Sequence, residues 1–275
     1  MWCCIIRVGS SRNSWRKLHL VKRVTKWEDP CPFWDEDGQA YLGRIVHLQP
    51  ARWEADWPVV GVDYDKNGVG EPVTTWKKPV PSAETGSFQA CDDFSGPLGL
   101  HWQWNHNPVD THWNLAERKG WLTLKAMPAD SLMSVRNMLT QKVVGYQSES
   151  VTKVSISGHS YAGLFCSGKR FCGVGLCEDG VFTEFGGRRE LIVKGSYKEV
   201  WLKVTNDCQQ NRHQFYYSTD GLHYQAAGQA FAMRGGYWKG IRVGLFNYVP
   251  TSKSGAKRLS SSYAQFDFFN QKFGQ

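Results

Sequence analysis

No apolar run in this sequence approaches the roughly 18–20 residues of a spanning helix, which excludes a helical membrane span. There is no Cys-x-x-Cys pair and no histidine at zinc-ligand spacing from a cysteine, which argues against a metal–thiolate site. No P-loop or Ser-His-Asp order is present. Gly173-Val174-Gly175 lacks the rest of a dinucleotide fingerprint and lies in a strand-like run. Amphipathic helical periodicity is nearly missing, which sets helical bundles aside. Acidic residues are absent from positions 1–27, which hold seven basic ones (Arg7, Arg12, Arg16, Lys17, Lys22, Arg23 and Lys26). Trp2 to Ile6 is too short an apolar run for the core of a signal peptide, and no small-residue cleavage site follows. Read literally, the chain begins in the cytoplasm.

What the chain does have is 14% aromatic residues, 13 tryptophans and 28 glycines among 275 residues, a mixture that favours short strands joined by tight turns. The net charge of +8 is not concentrated on one stripe: residues 28–90 carry five basic and eleven acidic residues, and residues 91–275 carry 21 and 14. A nucleic-acid binder gathers its basic residues on one face, so no nucleic-acid partner is expected. Cys166, Cys172 and Cys177 fall in strand-like segments and read as buried thiols that pack as small hydrophobes.

Four regions separate. Residues 1–27 form a basic, irregular head. Residues 28–73 alternate apolar segments with Asp/Gly turns. Asp35-Glu36-Asp37-Gly38, between Pro32-Phe33-Trp34 and Ala40-Tyr41-Leu42, signals a hairpin, and Trp57–Val62, Asp63–Gly70 and Glu71–Val73 suggest another. Pro79, Pro81 and a polar run mark residues 74–90 as a linker. From Cys91 the pattern is continuously all-β. Strands are expected at 121–126, 139–144, 150–156, 161–166, 171–177, 191–193, 199–204, 213–218, 241–247 and 262–269, with Val200, Leu202 and Val204 facing one side and Trp201 and Lys203 the other. So many short strands with turns between them indicate a two-sheet β-sandwich.

Two clusters suit a sugar, whose apolar faces stack on aromatic rings while amides satisfy its hydroxyls. The first is Trp102, Trp104, Asn105, His106 and Asn107, followed by Trp113; the second is Tyr237 with Trp238. The competing expectation is that whichever of Trp102 and Trp104 faces inward fills the core.

Asp92-Asp93-Phe94-Ser95-Gly96, Leu100 to Pro108, Arg136 to Gln141, Phe215 to Gly221, Tyr237-Trp238-Lys239-Gly240 and Phe266 to Phe269 resemble, in this order and spacing, one known domain. It is the C-terminal concanavalin-A-like sandwich of glycoside hydrolase family 43, whose members are β-xylosidases, α-L-arabinofuranosidases and relatives. Residues 27–42 are similar to an early blade of that family's five-bladed β-propeller. The stretch from Arg44 to Pro72 is similar to its last blade, so the two pieces join at about Leu42-Gly43. The resemblance implies an inverting hydrolase with a base Asp, a pKa-tuning Asp and an acid Glu. Only Asp29, in its Glu-Asp-Pro context, matches one of these, the tuning Asp. The expected function is therefore that of an accessory sandwich, inactive by itself, related to xylan- or arabinan-type oligosaccharides. An active exo-glycosidase and a ligand-free structural remnant are the alternatives. The resemblance further implies that Tyr237-Trp238 matches a loop presenting an aromatic to the substrate. It also implies a structural calcium ion where the first and last strands meet, at Asp93 and Asp267.

Overall fold

Val200, Leu202 and Val204 are fully buried while Trp201 and Lys203 between them are half-exposed, the pattern of a strand with one face on a core. The computed structural model that contains this strand describes residues 31–34, 40–43, 49–77, 89–233 and 240–274. The chain divides into two units, Met1–Ser87 and Phe88–Gln275.

In the first unit, β1 (Cys31–Trp34), β2 (Ala40–Gly43), β3 (Gln49–Glu54) and β4 (Trp57–Val60) form a four-stranded antiparallel meander in chain order. The hairpin expected around 35–38 is the pairing of β1 with β2. The turn between β3 and β4 uses Ala55 and Asp56, both with positive φ (45° and 67°), as a two-residue hairpin loop requires. The second expected hairpin survives as a single bridge between Val62 and Glu71. The Gln49 side chain clamps the segment that follows, donating to Val73 O (2.9 Å) and accepting from Val73 N (2.7 Å).

The second unit contains β5 (Gln103–Trp104), β6 (Trp113–Asn114), β7 (Leu122–Lys125), β8 (Met127–Ala129), β9 (Leu139–Lys142), β10 (Gln147–Ser157), β11 (Tyr161–Ser167) and β12 (Phe171–Cys177). It continues with β13 (Gly180–Phe185), β14 (Arg188–Lys194), β15 (Glu199–Asp207), β16 (Arg212–Ser218), β17 (Gln225–Ala226), β18 (Arg242–Pro250) and β19 (Tyr263–Phe273). Among the described residues these make a seven-stranded sheet, β17-β16-β15-β10-β19-β7-β6, and an eight-stranded sheet, β14-β13-β12-β11-β18-β9-β5, to which β8 adds in parallel beside β18. The architecture is an all-β, two-sheet sandwich.

The main core lies between the sheets, where Leu164, Val174, Leu202, Phe215, Leu245 and Phe266 are all fully buried. A second core covers the opposite face of the eight-stranded sheet, where Leu132, Val135 and Met138 of the 127–138 segment close over Phe165, Phe182, Phe246 and Tyr248. Both faces of that sheet are therefore dry along β11, β13 and β18. A carboxylate sits in the second core: Glu184 is fully buried, with Oε1 accepting from Leu132 N (2.8 Å), Oε2 accepting from the Tyr248 hydroxyl (2.6 Å), and Arg189 Nε 3.7 Å away.

Cys166, Cys172 and Cys177 are buried thiols, as expected from their strands, and burial pushes Cys172 up to about 12. They are packing elements. Beside Cys166 runs a polar chain: His213 Nδ1 lies 2.8 Å from Asn206 Oδ1, and Asn206 Nδ2 donates to Ser148 Oγ at 3.0 Å. Asn206 Oδ1 can only accept, so Nδ1 carries the proton. Burial holds His213 below its ordinary value of 6.5, outweighing the opposite pull of Asp207. The unfolded chain then binds more protons than the folded one, and stability rises with pH in this window. His213's contribution is complete above about pH 6.5 and disappears as pH falls through its lower folded value. Melting curves from pH 7.5 to 4.5 should show a drop below 6.5 that is shallower in His213→Gln; parallel curves would contradict this.

Candidate functional site

The segment from Gln103 to Val109 is held by the segment that follows Val135. Asn105 N donates to Met138 O (3.0 Å), Arg136 Nη2 donates to Asn107 O (2.6 Å), and Thr140 Oγ1 donates to Gln103 O (2.8 Å). Asn137, with a positive φ of 53°, uses both ends of its amide on Val109, accepting from N (2.8 Å) and donating to O (2.9 Å). Two motifs that carried the resemblance thus form one staple. Trp104 is half-buried against Trp113, ring centroids 5.2 Å apart, and Asn105 is half-buried beside Met138. Of the expected cluster, His106 and Asn107 are exposed. Trp102 is the tryptophan that faces inward.

Of the adjacent acids, the one that turns into the fold is Asp92. It accepts from Phe94 N (2.8 Å) and from the Trp102 indole N–H (2.7 Å), with His101 Nε2 at 3.7 Å. Its main chain bridges Phe269 in both directions at 2.8 Å, joining the first residues of the unit to the last strand. Asp93 is exposed, and the Ser95 hydroxyl (2.7 Å) followed by the Ser95 amide (3.0 Å) holds its carboxyl below the usual range. Asp267 lies 3.2 Å from Lys153 Nζ, which also meets Glu199 at 2.9 Å. Asp93 and Asp267 therefore have separate partners, and the described residues contain no group of three or more His, Cys, Asp or Glu that could hold a metal. A divalent cation at Asp267 would have to displace an ammonium group, so this pair does not fit calcium. Adding millimolar calcium, or EDTA, should leave the melting temperature within about 1 °C, too small for even half a kcal/mol. A rise of several degrees with calcium that Asp93→Asn or Asp267→Asn abolishes would show that these acids bind it.

Asp29, Tyr237 and Trp238 lie outside the described residues, as do Asp35, Glu36 and Asp37. In the first unit, Asp63 accepts from the amides of Asn67 (3.1 Å) and Gly68 (2.8 Å), while Asp65 accepts from the Asn67 side chain (2.8 Å). Burial would raise Asp63, but the Gly68 and Asn67 amides, Asp65 and Arg52 together hold it below the usual range. A general acid needs the opposite shift. These acids shape a turn.

The outer face of the seven-stranded sheet carries a feature that no sequence motif marked. Lys153 Nζ lies 5.1 Å from the ring centroids of both Trp121 and Trp201, and Lys203 Nζ lies 5.0 Å from Tyr216 and 4.4 Å from Tyr224. Arg118 stacks on the other ring partner of Lys153, Trp121, at 3.4 Å. Burial tends to lower Lys153, but its hydrogen bonds to Glu199 and then Asp267 hold it above the ordinary value, so it stays charged. The only advance sign was the alternation that put Trp201 and Lys203 on one side.

This architecture is that of a concanavalin-A-like β-sandwich with a charged aromatic outer face. The family described as the beta xylosidase C-terminal concanavalin A-like domain matches residues 91–272, and the chain belongs to that family, part of glycoside hydrolase family 43. A protein of Xylanibacter ruminicola carrying the name of a beta-xylosidase is 54% identical, covering 89% of this chain and 68% of its own length. A beta-xylosidase of Formosa agariphila is 32% identical over 94% of this chain and 47% of its own. Among solved structures, a bifunctional GH43-CE protein of Bacteroides eggerthii superposes with a TM-score of 0.69 at 28% identity, covering 90% of this chain and 34% of that one. The chain thus spans about half or less of several proteins that it resembles. The Xylanibacter alignment runs over 358 positions, more than the 275 residues present here, so that relative holds residues inside the aligned span with no counterpart in this chain.

Proposed function

We propose that this chain is a non-hydrolytic member of family 43, an accessory sandwich that engages xylan- or arabinan-type saccharides without cutting them. The observation that carries the reading is the interior shortfall against the Xylanibacter relative. Inverting hydrolysis needs an acid and a base across the sugar, roughly 6.5–9.5 Å apart, in a cleft that fixes both. The family resemblance puts the acid on a middle blade, and it implies that this chain joins an early blade to the last one at about Leu42-Gly43. A propeller blade is a four-stranded antiparallel sheet, and the four described strands of the first unit are enough for one. One blade closes no ring and forms no central cleft. Among the described carboxylates of that unit, Asp63 and Asp65 are spent on a turn and Glu54 pairs with Arg52. Purified full-length chain should release no product above the buffer blank from aryl β-xylosides or aryl α-L-arabinofuranosides. Turnover that disappears in Asp29→Asn would overturn the reading in favour of an active exo-glycosidase.

A further inference from the structure

The outer face of a surface sheet is normally polar, yet here outward positions on three neighbouring strands hold Val151, Trp201 and Phe268. Phe268 is there because of a β-bulge. The register between β10 and β19 shifts between Thr152 and Val154, pairing Thr152 with Phe269 and Val154 with Phe266. Lys153 therefore faces two residues, Asp267 and Phe268, and both are half-exposed while Phe266 and Phe269 are fully buried. Strict alternation would have turned Phe268 inward. Bulges re-aim side chains in this way and concentrate beside functional sites.

Trp201 and Phe268, with Tyr224, wall a cavity of about 180 Å³ whose rim carries Glu149, Asn270 and Lys272. The walls are preorganised. Gly221, at φ +76°, packs so closely on the indole of Trp201 that a Cβ there would lie 2.9 Å from it. Its turn is tied by Asp220, which accepts from Leu222 N and His223 N, both at 2.8 Å. Lys153 flanks the same indole, and Lys203 flanks Tyr224 while pairing with Glu149 at 3.4 Å. Holding these side chains in place before a ligand arrives lowers the ordering cost of binding.

The chemistry of the cavity selects its occupant. An apolar wall with a rim of donors and acceptors fits a molecule that has apolar C–H faces and equatorial hydroxyls. The lining holds one carboxylate, one ammonium, one amide and one phenol, which favours neither an anion nor a cation. The cavity is open to solvent on one side, so a ring seated against its aromatic walls can belong to a longer chain. We infer that this pocket binds a single uncharged pyranose unit of an oligosaccharide, between Trp201, Phe268 and Tyr224, with Glu149, Asn270 and Lys272 meeting its hydroxyls. The inference rests on the proposed saccharide-engaging role and assigns it to this face instead of the Trp104–Asn107 segment or Tyr237-Trp238.

Isothermal titration of the full chain with xylotetraose and with cellotetraose tests it. Saturable heat is expected for at least one of them, weakened about tenfold or more in Phe268→Ala and in Asn270→Ala. Asn270 is exposed, so its truncation leaves the fold intact even where Phe268→Ala lowers the melting temperature. Asn107→Ala and Trp238→Ala should bind like the parent chain. Absence of heat from the parent up to about 10 mM sugar, or loss in Trp238→Ala with Asn270→Ala unaffected, would overturn the pocket. Chromatography of the recovered sugar separates the two readings: cleavage products count against the non-hydrolytic role, whereas absent heat with intact sugar counts against the pocket alone.

Discussion

Replacing Trp102 by alanine should cost the sandwich about 3–5 kcal/mol, the range for truncating a buried tryptophan. In a domain of this size that corresponds to a melting temperature lower by roughly 10 °C. Two effects add. The indole is 7% exposed and packs between Phe94 (centroids 6.0 Å apart) and Phe269 (4.9 Å, edge-on), so its removal opens a cavity where the first residues of the unit meet its last strand. It also donates to Asp92 at 2.7 Å, and truncation leaves that carboxylate short of a donor in a largely buried setting. Trp102→Phe separates the two, since it keeps most of the packing and loses the N–H; about 1.5–3 kcal/mol is expected for a hydrogen bond to a charged group. Urea titration of both variants measures this. A loss below 1 kcal/mol for Trp102→Ala would mean that Asp92 and Phe269 do not depend on it. Trp104, half-buried at the core's edge, should cost clearly less.

The second large effect is expected at Glu184. Its carboxylate is fully buried beneath the 127–138 segment and serves Leu132 N, the Tyr248 hydroxyl and Arg189 together. Burial, reinforced by this carboxylate, pushes the Tyr248 phenol far up, so it remains a donor at all ordinary pH. Glu184→Ala takes the acceptor away from both donors at once. Arg189 is 29% exposed and can turn to water, but Leu132 N and the phenol cannot. Leaving these two buried donors without an acceptor costs about 1–3 kcal/mol each, about 2–6 kcal/mol in all. Tyr248→Phe removes one donor and should cost about 1.5–3 kcal/mol. Thermal melts of the two variants should rank in that order, and equal values would show that the Leu132 contact contributes nothing.

Legibility in the sequence followed burial. The strands of the seven-stranded sheet could be read because one of their faces remains half-exposed, which preserves alternation such as Val200, Leu202 and Val204 against Trp201 and Lys203. In the eight-stranded sheet β11, β12 and β18 are legible as long apolar runs, whereas β13 (Gly180–Phe185) interrupts its apolar residues with Thr183 and Glu184 and is buried without period two, so nothing in the pattern marks it as a strand. The Leu100–Pro108 motif, where sugar contact is expected, is a segment stapled by Arg136 and Asn137. Chain spacing showed that the two motifs were characteristic without showing that they bind each other.

The amino-acid sequence by itself determined the all-β class, the approximate strands of the second unit and the family, because side-chain alternation and turn residues act over a few neighbours. Only the tertiary structure decided between Asp92 and Asp93, between Trp102 and Trp104, and on which face Phe268 lies. Each of those choices depends on which strand pairs with which, and in what register. A one-residue bulge between strands more than a hundred positions apart reverses the facing of every side chain beyond it.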